Sequence, residues 1–135
     1  MRILGIDYGD KNIGLAVSDQ MMVTAQPLKS YKIKNKDEDT RFFRNLASKF
    51  NITKIVIGLP LRMDGSEGSR VKKTKKFAGW LKKTLKIPIV YWDERLTTKQ
   101  ASQIMRERGL SNKKKKELVD QISAVIILSS YLDSL

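Results

Sequence analysis

The chain contains no cysteine and no histidine. The first absence excludes disulfides, zinc fingers, iron–sulfur ligation and thiol catalysis. The second removes the usual general base, the Ser-His-Asp triad and the imidazole ligand that transition metals favour. Long apolar runs are missing as well. The tightest cluster, Ala124 to Leu128, has five residues, where a membrane span needs roughly 18. An acid at Asp7 comes too early for a signal peptide. These absences predict a soluble, cytoplasmic protein with no membrane partner.

Acids are scarce beside bases. Fourteen Asp and Glu face 27 Lys and Arg, for a formal charge of +13 over 135 residues. Such an excess reads as affinity for an anion, most simply nucleic acid, or as a plain solubility charge. Any catalysis must run on carboxylates, amines, hydroxyls or a hard metal, and oxygen ligands suit Mg²⁺ or Mn²⁺. The length predicts one domain, residues 1–135, with a real core.

Hydrophobic periodicity gives the order of elements. Arg2 to Asp7 and Ile13 to Ser18 read as strands joined by a turn-rich Gly9-Asp10-Lys11-Asn12, hence a hairpin. Met22 to Leu28 reads as a third strand, followed by a solvated connection from Lys32 to Asp37. Phe42, Phe43, Leu46, Ala47 and Phe50 recur at helical spacing. Lys54 to Gly58 is a buried-strand signal, and a Gly-punctuated loop runs to Gly68. From Ser69 to Leu85 a helical wheel puts Val71, Thr74, Ala78, Leu81 and Leu85 on one side and six lysines between Lys72 and Lys83 on the other. Ile87 to Trp92 reads as a strand. Thr97-Thr98-Lys99-Gln100 fits a capping box opening a helix that stops at Gly109, and a last helix starts near Lys113. This order predicts an α/β domain of three layers with a mixed sheet.

Three places carry acids that could do chemistry. Asp7 ends an apolar strand, and Gly9 and Gly14 let backbone turn tightly or approach an anion; the plain alternative is a turn-capping Asp. Asp93 and Glu94 follow a strand whose alternation sends only one of them to a site shared with Asp7, while the other can pair with Arg95. Asp120 shares a wheel face with Ala124, Ile127 and Tyr131, so it needs a cation or a basic side chain to meet it. Clustered carboxylates repel unless a divalent cation neutralises them. Such sites activate water for phosphodiester cleavage. Lys72, Lys73, Lys76 and Lys83, with Lys113, Lys114, Lys115 and Lys116, could contact phosphates or simply be solvated helix faces.

Together these motifs resemble the YqgF family of Holliday-junction-resolvase-like proteins. The resemblance runs end to end. It rests on Gly5-Ile6-Asp7-Tyr8-Gly9 with Ile13 to Asp19, on Ile57-Gly58-Leu59-Pro60-Leu61 with Met63 to Gly68, on Trp92 to Thr98, and on Asp120 before an apolar helix. It implies an RNase H-like fold with a five-stranded mixed sheet flanked by helices. It also implies a nuclease that matures the 5′ end of pre-16S rRNA, with Asp7, Glu94 and Asp120 as the acids holding Mg²⁺ or Mn²⁺. Gly58 stands in the loop where more distant resolvases place an acid, and Glu94 is the substitute. Asp19, Asp64, Asp93 and Arg95 are expected in supporting or substrate-positioning roles, with Gly9 and Gly14 shaping the loop.

Three other functions stay open on the sequence. Branched DNA would serve as substrate for the same chemistry, since basic patches read phosphate without naming the sugar; a resolvase would act as a homodimer. A non-catalytic RNA-binding ribosome-assembly factor would dispense with metal. An ATP-using phosphotransferase would share the hairpin motif but need two lobes.

Overall fold

The computed structural model describes the backbone of residues 1–96 and 112–135, and the side chains of 1–95 and 121–135. Strands β1 (Arg2–Tyr8) and β2 (Asn12–Ser18) form the expected antiparallel hairpin, with Asp7 opposite Gly14. Strand β3 (Ala25–Lys32) pairs on the far side of β2. Helix α1 (Lys36–Lys49) leads to β4 (Ile52–Leu59), and helix α2 (Ser69–Leu85) leads to β5 (Ile89–Asp93). Both β4 and β5 add in parallel, so the five-stranded mixed sheet has the order β3-β2-β1-β4-β5. A 3₁₀ turn (Glu94–Leu96) follows β5, and helix α3 (Asn112–Asp133) ends the chain. The helix expected from Thr97 to Gly109 lies outside the described residues.

The third strand is a correction. It starts at Ala25 rather than Met22 and passes straight through Pro27. Asp19 explains the late start: its carboxylate accepts the Val23 and Thr24 N–H groups at 2.8 and 2.9 Å. That closes a turn in which Met22 takes a left-handed backbone, φ 58°. Pro27 is tolerated because β3 is an edge strand, where a missing donor breaks no interior ladder.

Strand alternation divides the core between two faces. Leu4, Ile6, Leu15, Ile55 and Ile57 pack with Phe43, Ala78 and Leu81 of α1 and α2. Ile3, Ala16 and Val56 pack with Ala124, Ile127, Leu128 and Tyr131 of α3. The wheel reading of α2 matches this burial: Val71, Thr74, Ala78 and Leu81 are buried while Lys72, Lys73, Lys76, Lys82 and Lys83 are exposed.

Helix α3 lies so close to β1 that a Cβ on Gly5 would stand 2.7 Å from Leu128 Cβ and 3.2 Å from the Ala124 carbonyl. Neither atom is the free end of a side chain, so the helix itself would have to move. Gly5→Ala is expected to cost about 1–3 kcal/mol of stability through overpacking. A lowered urea midpoint checks it, and an unchanged midpoint would refute the close docking.

Candidate active site

Parallel pairing brings the carboxyl ends of β1, β4 and β5 side by side, the edge at which open α/β sheets offer clefts. Asp7 stands one residue beyond the Ile6–Ile57 pair, and Gly58 and Trp92 pair next to it. Alternation gives Asp7 the same face as Ile3 and Gly5, the face covered by α3.

Glu94 opens the 3₁₀ turn after β5 and comes back across β4. A Cβ on Gly58 would meet Glu94 Cγ at 2.7 Å, Glu94 Cδ at 2.8 Å and Ile127 Cδ1 at 2.5 Å. The missing side chain of Gly58 is thus the space through which the glutamate reaches Asp7. The two carboxyl groups share a hydrogen bond. Burial pushes the Glu94 carboxyl up to about 8, helped by the charge of Asp7 and by that hydrogen bond, while Arg70 pulls it down. These are two acids forced together at the rim of an apolar core.

Asp93 turns the other way and holds Arg95. Its carboxylate accepts the Arg95 N–H at 2.9 Å, Nε at 2.8 Å and Nη2 at 2.7 Å. The Arg95 hydrogen bond holds the Asp93 carboxyl below the usual carboxylate range. Arg95 also reaches the Met63 carbonyl at 3.4 Å, and its charge acts on Asp64. Asp64 caps its own turn, accepting the Ser66 N–H at 2.8 Å, and hydrogen bonds from Ser66 lower its carboxyl. Asp64, Asp93 and Arg95 therefore form one cluster that ties the 62–68 loop to the end of β5.

Asp19 is not brought to this edge. The β1–β2 hairpin is antiparallel, so the end of β2 lies at the opposite end of the sheet from Asp7. Its carboxyl is lowered by the Thr24 and Val23 N–H groups it caps. Gly9 occupies the hairpin turn, where it lines a small recess with Tyr8, Asp10, Arg70, Lys73 and Thr74. Asp120 belongs to α3, but its side chain lies outside the described residues, as do those of Lys113, Lys114, Lys115 and Lys116. Its wheel companions Ala124, Ile127 and Tyr131 are all buried against the sheet.

Arg70 is the residue that sequence reasoning passed over. It sits in the first turn of α2 and its charge acts on Glu94. The available signal was its place at the head of the basic stripe, three residues before Lys73.

A divalent cation suits this pair. Glu94 resists ionisation because it is buried beside another carboxylate, and a cation removes both penalties while hard oxygen donors are what Mg²⁺ and Mn²⁺ take. Among the described residues no group of three or more acids gathers that could hold a metal ion.

Comparison with known proteins gives a consistent answer. The sequence model of the RuvX family, described as Holliday junction resolvase, matches residues 1–134. A Syntrophomonas wolfei protein named "Putative pre-16S rRNA nuclease" is 46% identical over 98% of this chain and 94% of its own length. A Clostridium acetobutylicum protein of the same name is 44% identical over the whole of both chains. Among solved structures, the fowlpox virus resolvase bound to Holliday junction DNA has a TM-score of 0.61 at 16% identity, covering 99% of this chain and 98% of that one. Thermus thermophilus RuvC with a Holliday junction substrate has a TM-score of 0.57 at 13% identity, covering 99% and 94%. At such identities the structural likeness establishes the fold, an RNase H-like sheet of the resolvase type.

Proposed function

The chain belongs to the RuvX family, and from that premise we propose that it is a metal-dependent nuclease that trims the 5′ end of pre-16S rRNA in the cytoplasm. The observation that carries this reading is the Asp7–Glu94 pair, two carboxyls held against each other at the carboxyl edge of the sheet. The relatives' shared name favours precursor rRNA over branched DNA as substrate.

Asp7 and Glu94 would hold Mg²⁺ or Mn²⁺, with Asp120 from α3 as the third acid. A bound divalent ion lowers the pKa of water and neutralises charge on a phosphate undergoing in-line displacement. The chain's own residues do the rest. Asp7 is fixed by the sheet, and Glu94 is fixed by the 3₁₀ turn and the gap at Gly58. Arg70 supplies positive charge where a phosphodiester would approach. Asp93 locks Arg95, which in turn holds the 62–68 loop beside the site. The exposed lysines Lys72, Lys73, Lys76 and Lys83 give a salt-dependent grip on the backbone. No helix among the described residues is long and apolar enough to cross a membrane.

Cleavage of a 5′-extended 16S precursor fragment, run beside a four-way DNA junction, tests this. We expect the RNA to be cut with Mg²⁺ or Mn²⁺ and to survive in EDTA. Selective cutting of the junction would put the resolvase reading first. Full cutting in EDTA would overturn the metal site.

A further inference from the structure

On the sheet face opposite the carboxylates, an open groove of about 510 Å³ runs between the β3–α1 connection and α2. Its wall is aromatic. Tyr8 stacks on Phe77 with ring centroids 4.6 Å apart, and Trp80 lies beside Phe77 at 5.8 Å. All three rings are half-buried, so each keeps surface towards the groove. Lys34, Lys36, Lys73 and Lys76 line the same space, and all four are exposed. The groove's acids are engaged: Asp39 accepts the Tyr31 hydroxyl at 2.6 Å and the Lys34 N–H at 3.1 Å, and Asp10 meets Lys73 at 3.5 Å.

This groove is joined to the carboxylates. Tyr8 directly follows Asp7 in β1. Arg70, whose charge acts on Glu94, shares a small recess with Tyr8, Gly9 and Lys73, and Lys73 lines the groove as well. Arg70, Lys73, Lys76 and Trp80 follow one another at spacings of three or four residues, so they form one row along α2.

We propose that this groove is a subsite for one unpaired nucleotide of the substrate strand, its base against Trp80 and Phe77 and its phosphate on Lys73 and Lys76. Aromatic faces beside a cationic row take single strands irrespective of sequence, because every base offers a π-face. A paired base inside a duplex offers none. The volume of the groove is that of a small-ligand site, though open on one side. This proposal rests on the nuclease reading for its direction: the strand would run from the Asp7–Glu94 edge along α2. It names the substrate as single-stranded next to the cut.

The chain has two tryptophans. Trp92 packs on the other face, donating its Nε1–H to Ser130 at 3.0 Å, so Trp92→Phe leaves Trp80 as the sole reporter. In that protein a ten-nucleotide single strand, RNA or DNA, is expected to quench the emission, and the matching duplex is not. An abasic strand of equal charge should bind roughly 5- to 100-fold more weakly than the base-bearing strand. Read by the anisotropy of an end-labelled strand, since no tryptophan reporter then remains, Trp80→Leu should bring the base-bearing strand down to the abasic level. Lys76→Gln, an exposed change that leaves the core untouched, should lower the slope of log K against log salt by about one. Equal binding of abasic and base-bearing strands, or equal quenching by duplex, would overturn the subsite. Assaying cleavage of the same strands by the Trp92→Phe protein, with Asp7 intact, separates the two readings. Quenching without any cleavage keeps the groove and removes the nuclease, whereas cleavage without quenching does the reverse.

Discussion

Glu94→Gln is expected to reduce metal-dependent cleavage roughly a thousandfold while making the metal-free protein more stable. Both effects come from one fact: the ionised glutamate is placed where the empty fold resists it. Burial and the neighbouring Asp7 raise its carboxyl from an ordinary 4.5 to about 8. Between those values the folded protein keeps a proton that the unfolded chain has released. The stabilisation is therefore complete below about pH 4.5, is lost as pH rises, and is gone above about pH 8. The loss across that window is on the order of 5 kcal/mol. Because the two acids titrate as a pair, the slope belongs to both. Gln carries no proton to lose and should flatten it, while Asp7→Asn, which removes the repelling charge but not the burial, should only lessen it. Millimolar Mg²⁺ favours the ionised pair, so its stabilising effect should grow with pH. Urea midpoints at pH 5 and pH 8 in EDTA, with and without excess Mg²⁺, check these signs. A metal-free wild type equally stable at both pH values would refute the crowded pair.

Much of this arrangement is legible in the sequence, and the misses have physical reasons. Asp7 stands out because an acid ending an apolar strand sits at the rim of a sheet, and the strand is where the residues put it. The choice between Asp93 and Glu94 is not legible, since alternation sends them to opposite faces without saying which face is which. Arg95 decides it, through three hydrogen-bonding contacts to Asp93 that leave Glu94 for Asp7. Asp19 shows the opposite failure. An antiparallel hairpin already implies that its two strands finish at opposite ends, so the motif's second acid could not sit beside the first. The start of β3 is obscured because Met22 and Val23 look like strand residues, while the carboxylate of Asp19 captures the backbone for a turn. Arg70 and the aromatic groove escape notice because they depend on α2 lying across β1, a tertiary fact that no local pattern carries.

Gly58→Ala is expected to lower cleavage roughly a hundredfold, as misplacing a reacting group by about 1 Å can do, without touching any acid. A single methyl at this position would overlap Glu94 at both Cγ and Cδ and press on Ile127 Cδ1. The Ile127 end can turn within the core, but Glu94 occupies the space over Gly58 and must leave it. Once displaced, its carboxyl loses Asp7 and gains solvent, so its pKa falls and the loss of stability between pH 4.5 and 8 shrinks. That second readout distinguishes a moved carboxylate from a damaged fold. A damaged fold would lower the urea midpoint at every pH, whereas a moved Glu94 lowers it at pH 5 relative to wild type and leaves pH 8 nearly level. Full activity in Gly58→Ala would mean that the glutamate does not need this gap. The absence of a side chain on β4 thus leaves the space that Glu94, in the turn after β5, occupies. In this fold the glycine and the glutamate share one space, so the expected result at either position depends on the other.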